Sequence, residues 1–590
     1  MDGKQGKRLV FGMQNAEIAR LLGDVADLLE ISAGNPFKVR AYRNAARTVA
    51  DHPDPIAELV SGGEFDITEL PGIGGGIAKE ITALVETGTL PQRQQLVATL
   101  PPGLLDLLRI SGLGPKRVKL FHEQLKVNSV ADLKDALEKG LIAKLPGFGP
   151  KLLEKIREGV ADTATTAQKR MVLHEAEQYA RAIVEYLKAG GGAAIDEIDV
   201  AGSFRRRKET IGDLDIVVTC APAKAATVIQ RFGKFSEVTQ VAAQGDTRAT
   251  VRLSSGLQVD LRVVEPPCFG AAMQYFTGSQ AHNIELRKIA QVKKLKLNEY
   301  GVFRGSTCIS GRTEQDVYAA LGLDWIPPEM RENRGEIALA KAHELPQLVT
   351  LQEIRGDLQM HTDASDGKAT LAEMIEAARK LGYAYIAITD HSPRTSMAGQ
   401  TPEEIRAQWK AIDTLNKGLR GFRVLKSVEM DILESGKLDL PDDLLAEADY
   451  VVATIHYGLK QTERQLTDRL LGAIENRWVD AIGHPTGRIV PERPSYPLDF
   501  DVVAKAAANA KCLLEINGSE RMDLPDTLAA AAKAHGVRFV LSTDAHNTRE
   551  LGFMKFAVAV ARRAWLTAAD ILNTRPLPEF LKGLRRSRNR

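Results

Sequence analysis

Cysteine is scarce in this chain: its 590 residues include only four cysteines, and none of them belongs to a C-x-x-C pair. The sequence therefore suggests neither a disulfide framework nor a thiolate zinc site, and its cysteine usage fits a reducing compartment. Long apolar runs are also missing, since no stretch approaches the roughly 18 apolar residues that a membrane span needs. We expect a soluble, cytoplasmic protein that has no membrane partner.

The chain also lacks a strong charge of either sign, because its formal net charge at pH 7 is only +2. Any contact with DNA must then come from local basic groups or backbone amides. Hydrophobic residues make up 44% and charged residues 26% of the chain, which is typical of globular proteins. The length predicts at least two compact units and favours four.

Three segments in the N-terminal part repeat a Gly-x-Gly pattern between helical patterns. Two glycines allow a tight turn, and the helix that follows points its free N–H groups outward, where they can bind a phosphate. A single copy is better explained as a compact helical hairpin, but three copies favour binding to a DNA backbone without reading of bases. The glycines concerned are Gly72, Gly74, Gly112, Gly114, Gly147 and Gly149.

Two aspartates alternate at the start of an apolar strand pattern in the middle of the chain. Residues i and i+2 of a strand point to the same face, so Asp213 and Asp215 share one site, and Asp260 could join them from a neighbouring strand. Two Mg²⁺ ions would neutralise three such carboxylates and suit in-line nucleotidyl transfer. A lone D-x-D is more often a turn or a strand edge, so the surrounding motif decides.

That motif, Val200–Arg206 followed by Gly212–Asp215, closely resembles the palm of X-family DNA polymerases, and the resemblance spans residues 14 to 325. It implies a DNA-directed DNA polymerase that fills short gaps during base excision repair and break repair. Gapped or primer-template DNA and deoxynucleoside triphosphates would be its partners, and Mg²⁺ its cofactor. The resemblance implies catalytic and metal-binding roles for Asp213, Asp215 and Asp260, and nucleotide-binding roles for Ser203, Arg206, Tyr275, Phe276, Gly278, Asn283 and Arg287.

The segment Phe37–Ala46 resembles the 5′-phosphate-binding helix in the small domain of the same family. By this resemblance Lys38, Tyr42 and Arg43 would contact DNA at the downstream end of a gap.

Two positions depart from polymerase beta, the vertebrate member of the family. Its first hairpin carries a lysine that forms a Schiff base with an abasic sugar, and Glu80 occupies that position here. Lys79 lies on a different helix face, so we expect no 5′-deoxyribose-phosphate lyase activity. The second departure is Gln258, which replaces an arginine two residues before Asp260.

From about residue 355 onward, seven strand-like runs alternate with helical patterns, and each run ends in His, Asp, Glu or Asn residues. Alternation of strands and helices predicts a parallel sheet, and polar residues at all the C-terminal strand ends predict a closed barrel with its site at that face. Histidine and carboxylate ligands without cysteine suit Mn²⁺ or Zn²⁺, and their number implies two or three ions.

This pattern resembles the PHP (polymerase and histidinol phosphatase) family of metallophosphoesterases over residues 355 to about 575. The resemblance implies a 3′-5′ exonuclease or another end-processing phosphoesterase, with the metal ligands His361, Asp366, His391, Glu429, His456, His484, Asp544 and His546. The family usually has H-x-H where this chain has Gln359-Met360-His361. An amide is a weaker ligand than an imidazole, so we expect one ion to bind weakly or not at all.

We therefore predict a monomeric, multidomain α/β protein with helical helix-hairpin-helix domains, a polymerase beta-like nucleotidyltransferase palm and thumb, and a (β/α)7 PHP barrel. The predicted boundaries are 1–95 and 96–170 for the two helical domains, 171–265 for the palm, 266–326 for the thumb, 327–354 for a linker, 355–575 for the barrel and 576–590 for a basic tail. Two alternatives remain. The barrel could be an inactive structural or DNA-positioning module, or the chain could be a small-molecule phosphatase on a DNA anchor, against which the palm motif argues.

Overall fold

A computed structural model describes residues 15–585, apart from 33, 53–55, 63–64, 71, 88, 102, 109, 111–112, 146–147, 150–151, 155, 158–159, 161–169, 190–194 and 396–398. Gly112 and Gly147, two of the predicted DNA-binding glycines, lie outside the described residues, as do residues 586–590 of the predicted tail. No helix in the described part combines the length and apolarity that crossing a bilayer would need.

The N-terminal part is helical and has two hydrophobic cores. The first core runs from Ile18 to Leu96, and the second collects Ile31 and apolar residues from Leu104 to Val160. Local capping explains where helices begin: the Asn35 side chain accepts from the Phe37 amide, and Pro36 opens the helix that follows. The helices are Asn15–Ile31, Pro36–Asp51, Ile56–Gly62, Gly75–Thr87, Pro91–Thr99, Leu104–Leu108, Pro115–Leu125 and Val130–Glu138.

The palm is a five-stranded sheet backed by the helices Leu173–Lys188 and Ala225–Phe232, with a short helix at Gly202–Arg205. Its strands are β2 (Ile195–Val200), β4 (Asp213–Cys220), β5 (Val238–Gln244), β6 (Arg248–Leu253) and β7 (Gln258–Val264), in the order β2-β4-β7-β6-β5. Only the β4–β7 pair is parallel. A two-stranded ribbon, β1 (Met171–Val172) and β3 (Thr210–Ile211), lies beside this sheet. Strand β7 alternates buried and half-buried residues, so Asp260 points away from the core that Val259 and Leu261 enter.

The thumb follows the palm and has the helices Phe269–Thr277, Gln280–Val292 and Glu314–Ala320. It also contains an antiparallel sheet of β8 (Lys296–Asn298), β9 (Gly301–Arg304) and β10 (Thr307–Ser310).

The predicted linker, residues 327–354, is folded rather than extended between domains. It contains the helix Glu336–Ala342, and Met330, Ala340 and Leu348 belong to the thumb core. Arg331 is fully buried, and its guanidinium donates to Glu314 at 2.7 Å and to the Ile326 carbonyl at 2.9 Å. A charge is tolerated in a protein interior only when it is paired. The pairing of Arg331 with Glu314 therefore allows part of this charged stretch to be buried.

The C-terminal part is the predicted barrel of seven parallel strands, and this prediction is confirmed. The strands pair in chain order: β11 (Gly356–Asp357), β12 (Tyr385–Ile388), β13 (Arg423–Asp431), β14 (Tyr450–Thr454), β15 (Ala481–Ile482), β16 (Leu513–Asn517) and β17 (Phe539–Ser542). The helices are Leu371–Lys380, Pro402–Gly418, Asp442–Glu447, Glu463–Glu475, Phe500–Ala510, Asp526–Ala534, Met554–Arg563 and Leu577–Gly583.

Side chains complete the closure between the first and last strands, where only a single bridge, Met360 to Ala545, joins the backbones. The Asn573 amide donates to the Gly356 and Leu541 carbonyls, both at 2.8 Å. The barrel is thus nearly closed, and a buried amide substitutes for part of the missing ladder.

The N-terminal end of the barrel is covered by residues predicted to be part of the basic tail. Residues 577–583 form a helix whose Phe580 is fully buried in the barrel interior. Its ring stacks on Tyr385, with the ring centres 5.1 Å apart. The tail prediction is therefore wrong for this segment. Phe580 is buried because it packs on Tyr385 at the start of β12, about 195 positions earlier in the chain. The residues around Phe580 in the sequence do not indicate this contact.

Replacing Phe580 with alanine is expected to destabilise the barrel by about 3–5 kcal/mol, the usual cost of emptying a buried phenylalanine site. For a domain of roughly 200 residues this corresponds to a melting temperature lowered by about 10 °C, which differential scanning calorimetry measures. Glu579→Ala, an exposed change in the same helix, should stay within about 0.5 kcal/mol. Equal effects of the two variants would contradict the assignment of Phe580 as the anchor.

Candidate active sites

The palm brings the three predicted carboxylates together at the start of its central strands. The register of the parallel β4–β7 pair places Asp215 directly opposite Asp260, and Asp213 lies on the same face two residues earlier. The two oxygens of Asp260 accept hydrogen bonds from the Thr250 hydroxyl and from the Gln258 amide, the latter at 2.8 Å. Gln258 therefore helps to orient Asp260, although it replaces a charged residue of polymerase beta.

The negative charges of these three carboxylates repel one another and are only partly balanced by nearby arginines. Burial, together with Asp213 and Asp260, raises the pKa of Asp215 to about 7. Burial and Asp260 also raise the pKa of Asp213, although Arg170 and Arg206 oppose this. Divalent cations are the groups that such a cluster of oxygens binds.

Two neighbouring residues support the same interpretation. Gly202 has φ +65°, and a Cβ at this position would collide with the Asp215 carboxylate. The Ser203 hydroxyl is buried and has no hydrogen-bond partner among the described residues. An unsatisfied buried donor beside a cation-binding cluster fits a phosphate ligand.

The other predicted nucleotide-binding residues line the junction of palm and thumb. Arg206 donates to the Thr277 carbonyl and to Glu332, and Gly278 is close enough that a Cβ there would lie 3.2 Å from the Arg206 guanidinium. Asn283 is fixed by hydrogen bonds of 2.7 Å to the Tyr275 carbonyl and to Gln274. The rings of Tyr275 and Phe276 meet edge to face, 5.2 Å apart, and Arg287 is exposed.

The three predicted DNA-binding side chains of the first helical domain lie on one helix but have different surroundings. Tyr42 is only 3% exposed and lies in the first helical core, where burial raises its pKa to about 12. Its contact with DNA stays a prediction. Arg43 forms ion pairs with Asp27, at 3.2 Å, and with Glu30. Lys38 contacts Gln92 at the surface.

The described glycines of the three repeats lie directly before helices, as expected. Gly72, with φ +80°, and Gly74 are exposed in front of the helix Gly75–Thr87. Gly114 is the N-terminal cap of Pro115–Leu125, and the Gly149 carbonyl accepts from Leu152 and Leu153. Glu80 accepts from the Gln92 amide at 3.0 Å, so it caps the helix Pro91–Thr99.

All eight predicted metal ligands converge at the C-terminal ends of the barrel strands. Three groups have ligand atoms within 4.8 Å of one another. These groups are His361 with Asp366, His391 and His546; His391 with Glu429 and His456; and His361 with Glu429 and Asp544. His484 joins them, with its Nε2 2.9 Å from Glu429.

Glu429 is the centre of this cluster. Besides His484, its carboxylate lies 3.3 Å from His361, 3.4 Å from His391 and 3.4 Å from His456. Burial alone would raise the pKa of Glu429, but His391 and His456 hold it well below its ordinary value. The carboxylate is therefore ionised although it is only 1% exposed.

Several buried nitrogens of the cluster have no hydrogen-bond partner in the described chain. They include both ring nitrogens of His361, although carboxylate oxygens lie 3.2 and 3.3 Å away, and one nitrogen each of His391 and His484. Leaving such groups unsatisfied costs about 1–3 kcal/mol each. Imidazole lone pairs beside ionised carboxylates fit divalent transition metals.

Gln359 lies against this cluster with its amide entirely buried and both polar atoms unpartnered among the described residues. Its Oε1 is 3.2 Å from where a Cβ on Gly483 would be. The amide thus lies next to Gly483, the residue that precedes His484.

Some residues at the barrel mouth were not predicted from the sequence. Asp431 lies 3.2 Å from His456, and its i+2 spacing from Glu429 on one strand was a usable signal. Arg521 approaches Asp544 at 3.4 Å, and Asn517 donates to Asp544 at 3.2 Å. Nothing in the local sequence marks Arg521, because it is placed by the loop after β16.

Comparisons with known proteins identify related domains along the chain. Family models match as a helix-hairpin-helix domain over residues 13–90, a SAM-like helix-hairpin-helix tandem over 104–162, the DNA polymerase beta thumb over 272–332 and a PHP domain over 357–518. The fold and these matches define the class: an X-family DNA polymerase joined to a PHP domain.

The DNA polymerase/3′-5′ exonuclease PolX of Bacillus subtilis (strain 168) is 37% identical over 98% of this chain and 100% of its own length. The chain belongs to the PolX family. A probable phosphatase of Thermoanaerobacter sp. (strain X514) is 30% identical over 39% of this chain and 95% of its own. A crystal structure of Leishmania infantum polymerase beta in a ternary P/T complex matches 39% of this chain and 99% of its own, with 22% identity and a TM-score of 0.27.

Gln359→His is expected to tighten metal binding at the barrel mouth by about tenfold or more, since even outer-shell changes shift affinity by about 10–100-fold. The measurement is Mn²⁺ titration of the metal-free full chain by calorimetry. Gln359→Leu, which keeps the volume but removes the amide, serves as the control and should bind no better than the parent. A histidine variant with the parent's affinity and stoichiometry would show that this position does not face an ion.

Proposed function

We propose that this chain fills short gaps in DNA with its palm and removes nucleotides from 3′ ends with its barrel, acting as a monomer in base excision and break repair. The observation that carries the proposal is the presence of two separate carboxylate clusters in one folded chain. One lies on the palm sheet around Asp215, and the other lies at the barrel mouth around Glu429.

In the palm, Asp213, Asp215 and Asp260 would hold two Mg²⁺ ions, which supply charge neutralisation at the attacking and leaving oxygens of nucleotidyl transfer. Thr250 and Gln258 keep Asp260 turned towards that site. The Ser203 hydroxyl and the Arg206 guanidinium are proposed to bind the triphosphate oxygens. Arginine suits this role because its planar fork matches a phosphate.

The thumb residues select the incoming nucleotide in this proposal. Tyr275 and Phe276 would face its sugar, and the exposed Arg287 would face the nascent base pair together with Asn283. Because Asn283 already bonds to Tyr275 and Gln274, its amide is oriented before the nucleotide arrives. Such preorganisation lowers the entropic cost of binding.

The helical domains would hold the DNA on both sides of a gap. Glycine turns in front of helices, exposed at Gly72, Gly74 and Gly149 and half-buried at Gly114, suit backbone phosphates, and Lys38 suits a 5′-phosphate. Lyase chemistry is not part of the proposal, because Glu80 accepts a backbone hydrogen bond and offers no amine.

In the barrel, the eight converging residues would hold Mn²⁺ or Zn²⁺, ions that supply an activated water for phosphoester hydrolysis. The Bacillus relative is a DNA polymerase/3′-5′ exonuclease and the Thermoanaerobacter relative a probable phosphatase, which supports phosphoester chemistry at this site. The competing proposal is a barrel that only positions DNA, for which the amide of Gln359 speaks. The two proposals differ in whether the barrel cluster is needed for hydrolysis.

Asp215→Asn is expected to reduce gap filling by about a thousandfold or more, or roughly 4 kcal/mol of barrier, because the amide cannot replace an anionic ligand. The assay follows extension of a 5′-labelled primer beside a one-nucleotide gap. Asp196→Asn, an exposed aspartate on β2 of the same sheet, is the control and should extend normally. Unchanged extension by Asp215→Asn would falsify the polymerase assignment.

His456→Ala is expected to abolish shortening of the same primer in Mn²⁺ without nucleotides, by at least about a hundredfold, while leaving gap filling intact. His535→Ala, a barrel histidine outside the cluster that pairs with Asp501, should retain both activities. If parent and His456→Ala shorten the primer equally, hydrolysis arises elsewhere. If neither shortens it, the positioning alternative is favoured.

A further inference from the structure

A cavity of about 560 Å³ lies between the palm and the barrel, outside both carboxylate clusters. One wall is the palm helix Leu173–Lys188 with the short segment 204–207, and the other is the barrel segment 549–556. Its volume falls within the roughly 300–1,000 Å³ of pockets that bind small ligands. A cavity at a domain junction is a frequent place for such a ligand.

The cavity is rich in positive charge. Arg181, Arg207, Arg549 and Lys555 line it, and the only carboxylate among its lining residues in the described chain is Glu177. Glu177 is itself paired with Arg207, at 3.5 Å, and with Lys555. Four cations around one neutralised acid favour an anionic ligand.

Four aromatic rings also line the cavity. Phe553 and Phe556 lie 5.8 Å apart, and the His174 ring is 6.1 Å from the former and 6.2 Å from the latter. Burial lowers the pKa of His174, so this ring is neutral. Phe204 lies on the palm side, with the Arg207 guanidinium 5.4 Å from its ring centre. Rings interleaved with cations are the combination that binds bases and phosphates of single strands.

Phe553 connects this cavity to the barrel site. The same ring lines a second cavity, of about 220 Å³, whose other walls include Arg521, Asp544 and His546. A ligand that continues from one cavity to the other would therefore end at the cluster around Glu429. A nucleic-acid strand repeats base and phosphate along its length, so it can occupy both adjoining cavities. A single small molecule has no such repeat.

We propose that this cavity binds the few nucleotides of single-stranded DNA that precede the 3′-terminal nucleotide held at the barrel mouth. The inference rests on the proposed exonuclease function and adds a strand-binding site built jointly by palm and barrel. A duplex is disfavoured, because its paired bases cannot stack on the half-buried rings of Phe204 and Phe553.

Arg181 gives the cleanest test. It is exposed and forms no ion pair in the described chain, so its replacement should not disturb folding. Arg181→Glu is compared with Lys188→Glu, which makes the same charge change at the end of the same helix but outside the cavity. The readouts are steady-state 3′-5′ hydrolysis in Mn²⁺ and, in EDTA, fluorescence anisotropy of a labelled single strand, both with the full chain.

For an octanucleotide we expect Arg181→Glu to raise KM and the anisotropy Kd by about tenfold with kcat unchanged, because the strand loses a phosphate contact. For a dinucleotide, which reaches only the barrel mouth, the two variants should behave alike. Phe553→Leu, which retains apolar volume but loses the ring, should weaken octanucleotide binding by about fivefold or more.

Equal effects of Arg181→Glu and Lys188→Glu on the octanucleotide would overturn the inference, as would an equal effect on octanucleotide and dinucleotide. Binding of dAMP as tight as that of the octanucleotide would overturn it in favour of a free-nucleotide site. A parent that hydrolyses neither oligonucleotide would instead refute the proposed exonuclease, and the anisotropy result would still decide whether the cavity binds a strand.

Discussion

Glu332 joins the palm to the barrel, in addition to the ion pairs of Glu177 with Lys555 and of Glu209 with Arg488. Its carboxylate lies 3.1 Å from Arg206 and 3.5 Å from Lys208 on the palm side, and 3.1 Å from Arg563 of the last long barrel helix. Arg563 is only 1% exposed and also donates to the Arg206 carbonyl at 2.8 Å and to Asp526 at 3.0 Å. Separating the domains would break the ion pair of Arg563 with Glu332 and its hydrogen bond to the Arg206 carbonyl, and charge-assisted contacts of this kind are stronger than neutral hydrogen bonds.

The same carboxylate reaches the proposed nucleotide site through Arg206. A triphosphate that recruits this guanidinium must compete with Glu332 and with the Thr277 carbonyl. Glu332 would retain Lys208 and Arg563 after such an exchange, so it would not become an isolated buried charge. In this proposal, nucleotide binding and the palm–barrel contact both involve Glu332. Moving Arg206 from Glu332 to the triphosphate costs less free energy than breaking an isolated buried ion pair, because Glu332 keeps two cationic partners.

Sequence periodicity predicts the structure correctly where a local repeat is compatible with only one arrangement of the side chains. The i, i+2 spacing of Asp213 and Asp215 fixes their shared face, and strand ends of a parallel barrel must meet at one rim. For that reason all eight barrel ligands converge as predicted. The barrel follows from the same local patterns, whereas the palm and the thumb follow from the resemblance of their motifs to X-family DNA polymerases.

Prediction failed where a distant partner decides whether a residue is buried. The charged sequence around Arg331 does not indicate that its side chain is buried in an ion pair with Glu314. Likewise, the sequence around Phe580 does not indicate that its ring stacks on Tyr385. Arg521 approaches Asp544 only because the loop after β16 folds over the barrel mouth.

The amide at Gln359 bears on whether the barrel is an enzyme or a scaffold. A scaffold would have no need to retain buried, ionised carboxylates and unsatisfied imidazoles, since each costs free energy unless a cation is bound. Glu429 contacts His361, His391, His456 and His484. An amide at position 359 leaves these contacts in place, which favours the proposal that the barrel retains hydrolysis.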